Sequence, residues 1–118
     1  MAISEAYAST EAITVADEWS LTGDDTSPDT TGITTDGVYQ CFLDLSDMVT
    51  SDYLTFKIYE KVQAADTQRV VFTASFAHVQ GDPNWVSPAM VLMHGWEMTV
   101  KVDAGSTCTV NWSIRKVA

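Results

Sequence analysis

The stretch YLTFKIYEKV, residues Tyr53–Val62, decides the fold class of this chain. Its large apolar side chains lie at alternate positions, namely Leu54, Phe56, Ile58 and Val62. The intervening positions hold Thr55, Lys57, Tyr59 and Lys61. A period of two is typical of a strand with one face on a core and the other toward water or a partner. Glu60 alone breaks the pattern, and it needs either a partner, such as Arg69 or Lys101, or an exit to solvent.

The same alternation recurs along the chain. It is found in Val38–Leu45, Gln68–Val79, Trp96–Asp103 and Cys108–Arg115, with turn residues between these segments. The sequence therefore predicts an all-β fold, an antiparallel β-sandwich that is jelly-roll-like and has about eight strands. Because the connections are short, the strands at residues 38–45, 53–62 and 68–79 are expected to form an antiparallel meander.

The first 36 residues differ in composition from the rest of the chain. Residues 1–36 are predicted to form an acidic N-terminal arm or strands and a loop within the same domain, and residues 37–118 the β-sandwich core. Residues 2–21 favour one or two short strands, and an arm that packs on a neighbour is the alternative. Residues 22–37, TGDDTSPDTTGITTDG, have the composition of a loop. A chain of 118 residues has room for one core.

The net charge of −10 is unevenly distributed. Residues 1–56 contain eleven acidic residues and no basic ones, whereas residues 57–118 contain five acidic residues and all six basic ones. An acidic surface repels phosphate backbones, which argues against nucleic acid as a partner. No apolar run approaches the roughly 20 residues of a membrane span, and the N-terminus lacks the pattern of a signal peptide, so no membrane partner and no Sec export are expected.

The sequence contains no catalytic signature, and we expect no enzyme. His94 lies close to Glu97, and His78 is on another predicted strand, so an acid–base pair is conceivable. No serine lies in a nucleophile elbow, and no glycine loop is of the phosphate-binding type. The acidic loop residues Asp24, Asp25 and Asp29 offer oxygen ligands, but their spacing does not match a calcium-binding loop.

Cys41 and Cys108 lie far apart in the sequence and have no CxxC spacing. Both fall on the apolar side of an alternating pattern, which predicts buried free thiols; a disulfide would require an oxidising environment and close Cα atoms. Two cysteines cannot form a structural zinc site, so no metal and no cofactor are predicted.

The tryptophans differ in their place in the pattern. Trp96 and Trp112 fall on core positions, whereas Trp85 follows the turn QGDPN and is the candidate for an exposed aromatic anchor. Pro88 places the strand that follows at a sheet edge or a bulge. The candidate interface residues are Asn84, Trp85, Lys57, Tyr59 and Lys61.

Four segments carry a resemblance to a known family. They are TDGVYQCFLDLSDM (Thr35–Met48), IYEKV with TQRVVF (within Ile58–Phe72), QGDPNWVSP (Gln80–Pro88) and NWSIRKVA (Asn111–Ala118). In these segments the chain resembles small structural proteins of tailed bacteriophages, of the capsid decoration or cement type. The resemblance covers about residues 35–118, and it brings no catalytic residues with it.

The resemblance implies a structural role in the virion. It implies a homo-oligomer, a trimer, that is made in the host cytoplasm, binds the outer surface of the capsid, and stabilises the shell by bridging copies of the major capsid protein. The alternative is a carbohydrate- or receptor-binding β-sandwich module of a phage head or tail fibre.

Overall fold

The computed structural model of the chain describes residues 2–117. Its strands are β1 (Ile3–Ile13), β2 (Glu18–Ser20), β3 (Gly37–Asp44), β4 (Tyr53–Glu60), β5 (Arg69–Ala77), β6 (Asn84–Val86), β7 (Met90–Leu92), β8 (Glu97–Ala104) and β9 (Cys108–Val117). Within the described residues, no helix has the length and hydrophobicity needed to cross a membrane.

The strands form two antiparallel sheets packed face to face. One sheet has the order β1-β9-β3-β6, with β7 also paired to β3, and the other has the order β2-β8-β4-β5. Because β6 and β7 occupy the two ends of the same edge of β3, the nine strands fill eight positions. This arrangement confirms the predicted jelly-roll-like sandwich.

The N-terminal residues are strands of the sandwich. β1 pairs with β9 from Ile3 to Ile13, with one register shift between Glu5 and Tyr7, and β2 pairs with β8. These two strands provide one edge of each sheet. The alternative of an arm reserved for a neighbour is therefore wrong, because this segment hydrogen-bonds within its own chain.

The predicted three-stranded meander is wrong in one of its strands. β4 and β5 form the expected hairpin, but β3 belongs to the opposite sheet. The connection between β3 and β4 crosses the sandwich, with Leu45 and Met48 buried beneath it. The carboxylate of Asp52 stabilises the crossing, since it accepts hydrogen bonds from the backbone N–H of Val49 and the backbone N–H of Ser106.

Large apolar side chains fill the space between the sheets. Trp96 is fully buried, its ring centroid lies 4.4 Å from that of Tyr39, and its Nε1 donates to the backbone oxygen of Thr35. Trp112 is buried as well, with its Nε1 donating to the backbone oxygen of Leu21. Both tryptophans are therefore core residues, as the alternation predicts, and both indole N–H groups have partners.

The break between β6 and β7 follows from Pro88, which has no N–H to donate. At the break, the hydroxyl of the buried Ser87 accepts a hydrogen bond from the backbone N–H of Cys41, and the backbone N–H of Ser87 donates to the oxygen of Cys41. One residue thus completes the pairing of the β3 edge where the strand is interrupted. The prediction of an edge position for this segment is confirmed.

The acidic loop at residues 22–37 is attached to the sandwich by a buried carboxylate. Glu97, at the start of β8, is fully buried, and its two oxygens accept hydrogen bonds from the Ser20 hydroxyl (2.9 Å), the Thr22 hydroxyl (2.6 Å), the Asp29 N–H (2.9 Å) and the Met98 N–H (2.8 Å). The alternation places Glu97 on the solvent side of β8, and the loop is what covers it.

Candidate functional site

The first candidate surface is the outer face of the four-stranded sheet. We call it the lysine face; it comprises Glu18 on β2, Thr99, Lys101 and Asp103 on β8, Thr55, Lys57 and Tyr59 on β4, and Thr73 and Ser75 on β5. Lys57 lies at its centre, paired with Thr73 on one side and with Thr99 on the other. The face is polar: Thr99 is fully buried in it, and its two lysines, Lys57 and Lys101, are matched in number by two carboxylates, Glu18 and Asp103.

Three hydrogen bonds between side chains hold the lysine face. The carboxylate of Glu18 accepts from the Tyr59 hydroxyl (2.5 Å) and from the Thr99 hydroxyl (2.7 Å), and Asp103 accepts from the Thr55 hydroxyl (2.5 Å). None of these bonds uses a lysine. Burial, together with the bond to Glu18 and its negative charge, raises the pKa of Tyr59 to about 12. Tyr59 is thus an anchored neutral side chain, while the ammonium groups are left for other contacts.

Lys61 lies beyond the end of β4, beside the close backbone contact between Gly32 and Gly95. The aliphatic part of its side chain passes close to Gly95, since a Cβ built on Gly95 would be 3.0 Å from the Lys61 Cε. The Lys61 backbone N–H donates to the oxygen of His94. Because β4 ends at Glu60, Lys61 is the next residue along the chain but does not belong to the strand that carries Lys57.

The other two candidate interface residues lie in the opposite sheet. Asn84 is exposed on β6, and Trp85 is half-buried. The Trp85 ring packs on Phe56 (5.3 Å between centroids), Phe76 (5.1 Å) and Phe72 (6.5 Å). Trp85 is thus not the exposed anchor predicted from its place beside a turn, because β6 lies over β4 and β5 and directs the indole between the sheets.

The position of Trp85 gives a first testable prediction. We expect Trp85→Ala to lower the free energy of unfolding by about 2–4 kcal/mol, because it removes the ring that covers three phenylalanines. Val86→Ala is a suitable control, since Val86 is its exposed neighbour on β6. Urea denaturation measures the free energy of unfolding of both variants. A decrease below about 1 kcal/mol for Trp85→Ala would show that the indole is exposed and not packed between the sheets.

The second candidate surface is a shallow depression on the outer face of the five-stranded sheet. It has a volume of about 300 Å³ and is lined by Phe42, Leu43, Asp44, Asn84, Trp85, Asn111, Trp112, Ser113 and Arg115. The Arg115 guanidinium lies 3.7 Å above the centroid of the Phe42 ring, a cation–π contact. Asn111 donates a hydrogen bond to Asp44. Hydrogen bonds from the Ser46 side chain and backbone N–H, together with the Asn111 bond, hold the pKa of Asp44 below its usual value.

Sequence reasoning did not find this depression. Phe42 and Arg115 both lie on the outward side of their alternating patterns, and that was the signal available. Their contact depends on the pairing of β3 with β9, which joins residues far apart in the chain. Of the predicted interface residues, Asn84 and Trp85 contribute to the depression.

Of the acid–base candidates, Glu97 accepts the four hydrogen bonds described above, and the Nδ1 of His78 contacts the backbone oxygen of Thr50. Glu60 lies opposite Arg69 on β5, but its carboxylate accepts hydrogen bonds from the backbone N–H groups of Met93 and His94. The partner of Glu60 is therefore neither Arg69 nor Lys101, nor is it solvent alone; successive N–H groups of a turn fix the carboxylate.

The acidic loop residues also have local roles. Asp24 accepts from Ser9 and Trp19, and Asp29 accepts from the N–H groups of Thr31 and Gly32. Within residues 2–117 there is no group of three or more His, Cys, Asp or Glu residues arranged to hold a metal ion.

Both cysteines are buried free thiols, as predicted. Burial raises the pKa of the Cys41 thiol and, with the charges of Asp47 and Asp52, raises that of Cys108 to about 11.

No protein-family model matches the sequence, and no curated protein matches it. Among solved structures, the chain is similar to the Eiger TNF of S. frugiperda, at 11% identity and a TM-score of 0.45, over 96% of this chain and 87% of that chain. It is also similar to the xylan-binding domain of CBM 22, at 16% identity and a TM-score of 0.35, over 86% of this chain and 64% of that one. A third is the C-terminal family 22 module of Clostridium thermocellum Xyn10B, at 15% identity and 0.35, over 72% and 56%. These similarities carry no argument about what the chain binds.

Proposed function

We propose that this chain is a virion structural protein of the capsid decoration type, which binds the outside of the shell and bridges copies of the major capsid protein. The observation that carries the proposal is the lysine face, where Lys57 and Lys101 lie on a chain of net charge −10 and take no part in the side-chain hydrogen bonds of the face. The resemblance of residues 35–118 to decoration proteins supports the same role. In this proposal the chain acts by binding and not by catalysis, as a homotrimer made in the host cytoplasm.

The physical basis of such a role is linkage. A protein that binds assembled shells and not free subunits stabilises the assembled state by its binding free energy. The ammonium groups of Lys57 and Lys101 suit carboxylates of a partner surface, because opposite charges raise the association rate and set the orientation of docking. The remaining acidic surface limits nonspecific association.

The lysine face gives the second prediction. We expect the double variant Lys57→Glu with Lys61→Glu, at the centre of the face and just beyond the end of β4, to bind shells about 1–2 kcal/mol more weakly, roughly five- to thirtyfold, because two attractive charges become repulsive. Cosedimentation of purified protein with shells that lack it measures the affinity. The matched control is Arg115→Glu with Lys116→Glu, which makes the same change of charge on the opposite sheet.

Particles test the role itself. Shells assembled without this protein should lack an external density in electron micrographs and should break at lower temperature or at lower salt than complete shells. Unchanged density together with unchanged heat and salt resistance would exclude a decoration role. If the Lys57/Lys61 variant bound shells with wild-type affinity, only the lysine face would be excluded as the contact surface.

The depression around Phe42 favours a second candidate, a carbohydrate- or receptor-binding module. Amide and carboxylate groups beside an aromatic ring suit sugar hydroxyls, and here Asp44, Asn84 and Asn111 lie beside Phe42. The guanidinium over the ring opposes stacking by a sugar, since it must first move. A glycan array with the wild-type protein and with Asn111→Ala decides it: selective binding that the variant loses would favour this function over decoration.

A further inference from the structure

The two lateral sides of the sandwich have opposite character. One side is formed by β1, β2 and the first part of the acidic loop, and residues 1–29 contain seven acidic residues and no basic one. The other side is formed by β5 of one sheet and by β6 and β7 of the other, which the contacts of Trp85 with Phe72 and Phe76 bring together. Residues 69–93 contain one base, Arg69, and one acid, Asp82. We call this second side the neutral side.

The neutral side also concentrates exposed apolar surface. Among the described residues, six of the ten exposed large hydrophobic side chains belong to residues 69–93, namely Val70, Val71, Val79, Val86, Val91 and Met93. Val91 is 76% exposed on β7, and Val71 is 46% exposed where the β4–β5 register shifts. Beneath them lie the half-buried rings of Phe72, Phe76 and Trp85. Clustered exposed apolar residues mark association surfaces, whereas single ones do not.

An open strand adds to this surface. Within residues 2–117, β5 pairs only with β4, so the other edge of its nine residues faces outward, and Arg69 is its only charged residue. Natural proteins protect long edges with charges, prolines or a covering element. β1, the edge strand on the other side, carries Glu5 and Glu11 and a bulge. Of the two long edges, β5 is the one suited to contact with another chain.

We propose that the neutral side is the surface through which copies of this chain associate, with the β5 edge of one copy against β6 and β7 of the next around a three-fold axis. Charge selects a second copy as the occupant. Between chains of net charge −10, contact is favoured where acids are absent, and residues 69–93 are neutral in sum. Since β5 and β6–β7 are different patches on one side, their contact is heterologous, and a rotation of one third of a turn between copies closes it into a ring of three.

The available area limits the strength of each contact. The molecule measures 40 × 32 × 19 Å, so a lateral side offers about 600–760 Å² per copy. A ring divides this area between two neighbours, so each contact buries about 300–380 Å² per partner, below the roughly 800 Å² of a standard interface, and only the two contacts of a copy together approach that value. The inference rests on the homo-oligomer of the proposed function but not on its capsid target. The lysine face remains free for a different partner.

The test is the mass of the purified full chain in solution, by light scattering after gel filtration or by sedimentation. We expect wild type to have the mass of three chains, and both Val71→Asp and Val91→Asp to have the mass of one. Ile3→Asp is the matched control: it adds the same charge at a side chain that is 68% exposed, on the acidic side, and should stay trimeric. Thermal denaturation checks that every variant is folded. We expect all of them to fold, because the substituted side chains are exposed.

The outcomes separate the surface from the function. A trimer that survives both valine variants, or a trimer dissociated equally by Ile3→Asp, would overturn the inference. So would a monomeric wild type; if its valine variants also failed to bind shells, the occupant of the surface would be the shell. A wild-type dimer dissociated by the valine variants would support the surface and contradict the three-fold arrangement. A wild-type trimer dissociated by them that does not bind shells would leave the surface in place and contradict the decoration role.

Discussion

Gly32→Ala is expected to unfold the protein or to lower its free energy of unfolding by about 3–5 kcal/mol, the combined cost of a left-handed backbone and of overpacking. Gly32 has φ of +83°, a conformation that residues with a Cβ rarely adopt. A Cβ on Gly32 would lie 2.0 Å from the carbonyl carbon and oxygen of Gly95. These are backbone atoms that cannot move aside without shifting the joint between the acidic loop and β8.

The joint is tight from both sides. Gly95 has φ of +59°, and a Cβ there would lie 2.5 Å from the oxygen of Thr31. Next to the joint, Ile33 and Trp96 exchange two backbone hydrogen bonds of 2.8 and 3.0 Å, and the Gln68 amide donates to the oxygens of Asp29 and Gly95. Displacing Gly95 would therefore disturb the fully buried Trp96.

Urea denaturation and the yield of folded protein measure the effect of Gly32→Ala. Gly81→Ala is the matched control, because a Cβ on Gly81 would meet no atom of the described residues within 4 Å and its φ is not in the left-handed region. We expect the control to stay within about 0.5 kcal/mol of wild type. Equal stability of the two variants would show that the loop is not packed on Gly95 as described.

The alternation of side chains predicted the strands because it is a local property. In Tyr53–Glu60 the buried residues Leu54, Phe56 and Ile58 are the ones that the period of two selects. When one face of a strand packs on the core, the strand can be predicted without knowing which strands lie beside it. The same holds for Trp96 and Trp112.

What the sequence did not predict depends on contacts between distant segments. A short connection after β3 fits either a hairpin or a crossing between sheets, and the burial of Leu45 and Met48 decides for the crossing. A tryptophan beside a turn has the same sequence context whether or not a sheet lies over it, as at Trp85. Glu97 is solvent-facing by its local pattern, and the loop that covers it begins more than seventy residues earlier in the chain.

The candidate site was predicted only in part for the same reason. Lys57 and Tyr59 lie on the outer face of their strand, as the alternation indicated. The partner of Tyr59 is Glu18, on a strand that reaches it only through the order β2-β8-β4. Alternation within a strand identifies its outer face, whereas the order of strands in the sheet determines which residues of other strands lie beside that face.

Glu97→Ala is expected to lower the free energy of unfolding by about 3–5 kcal/mol, because it leaves buried donors without an acceptor. The four donors belong to Ser20, Thr22, Asp29 and Met98. Among the described residues the carboxylate accepts only from these hydroxyl and N–H groups and pairs with no lysine or arginine. Its stabilisation therefore comes from hydrogen bonds to the charged form, which offset its desolvation only if all are made.

Glu97→Gln separates the charge from the shape. The glutamine amide keeps one acceptor oxygen but has an NH₂ group, itself a donor, in place of the other. We therefore expect a decrease in the free energy of unfolding of about 1–3 kcal/mol, smaller than that of Glu97→Ala. Asp103→Ala is the exposed control, since Asp103 accepts one hydrogen bond, from Thr55, and should cost about 0.5–1.5 kcal/mol.

Hydrogen exchange gives a local readout that distinguishes an anchor for the loop from a general stabilising residue. The Asp29 amide donates directly to Glu97, so its protection should fall in both Glu97 variants under conditions where the protein is still folded. The Cys41 amide, bonded to the Ser87 hydroxyl on the other sheet, should keep its protection. If both amides lose protection in parallel, Glu97 stabilises the whole sandwich and does not anchor the loop. If Asp29 alone responds, the buried carboxylate fixes the acidic loop to β8, and the position of its aspartates on the surface is set by a single residue.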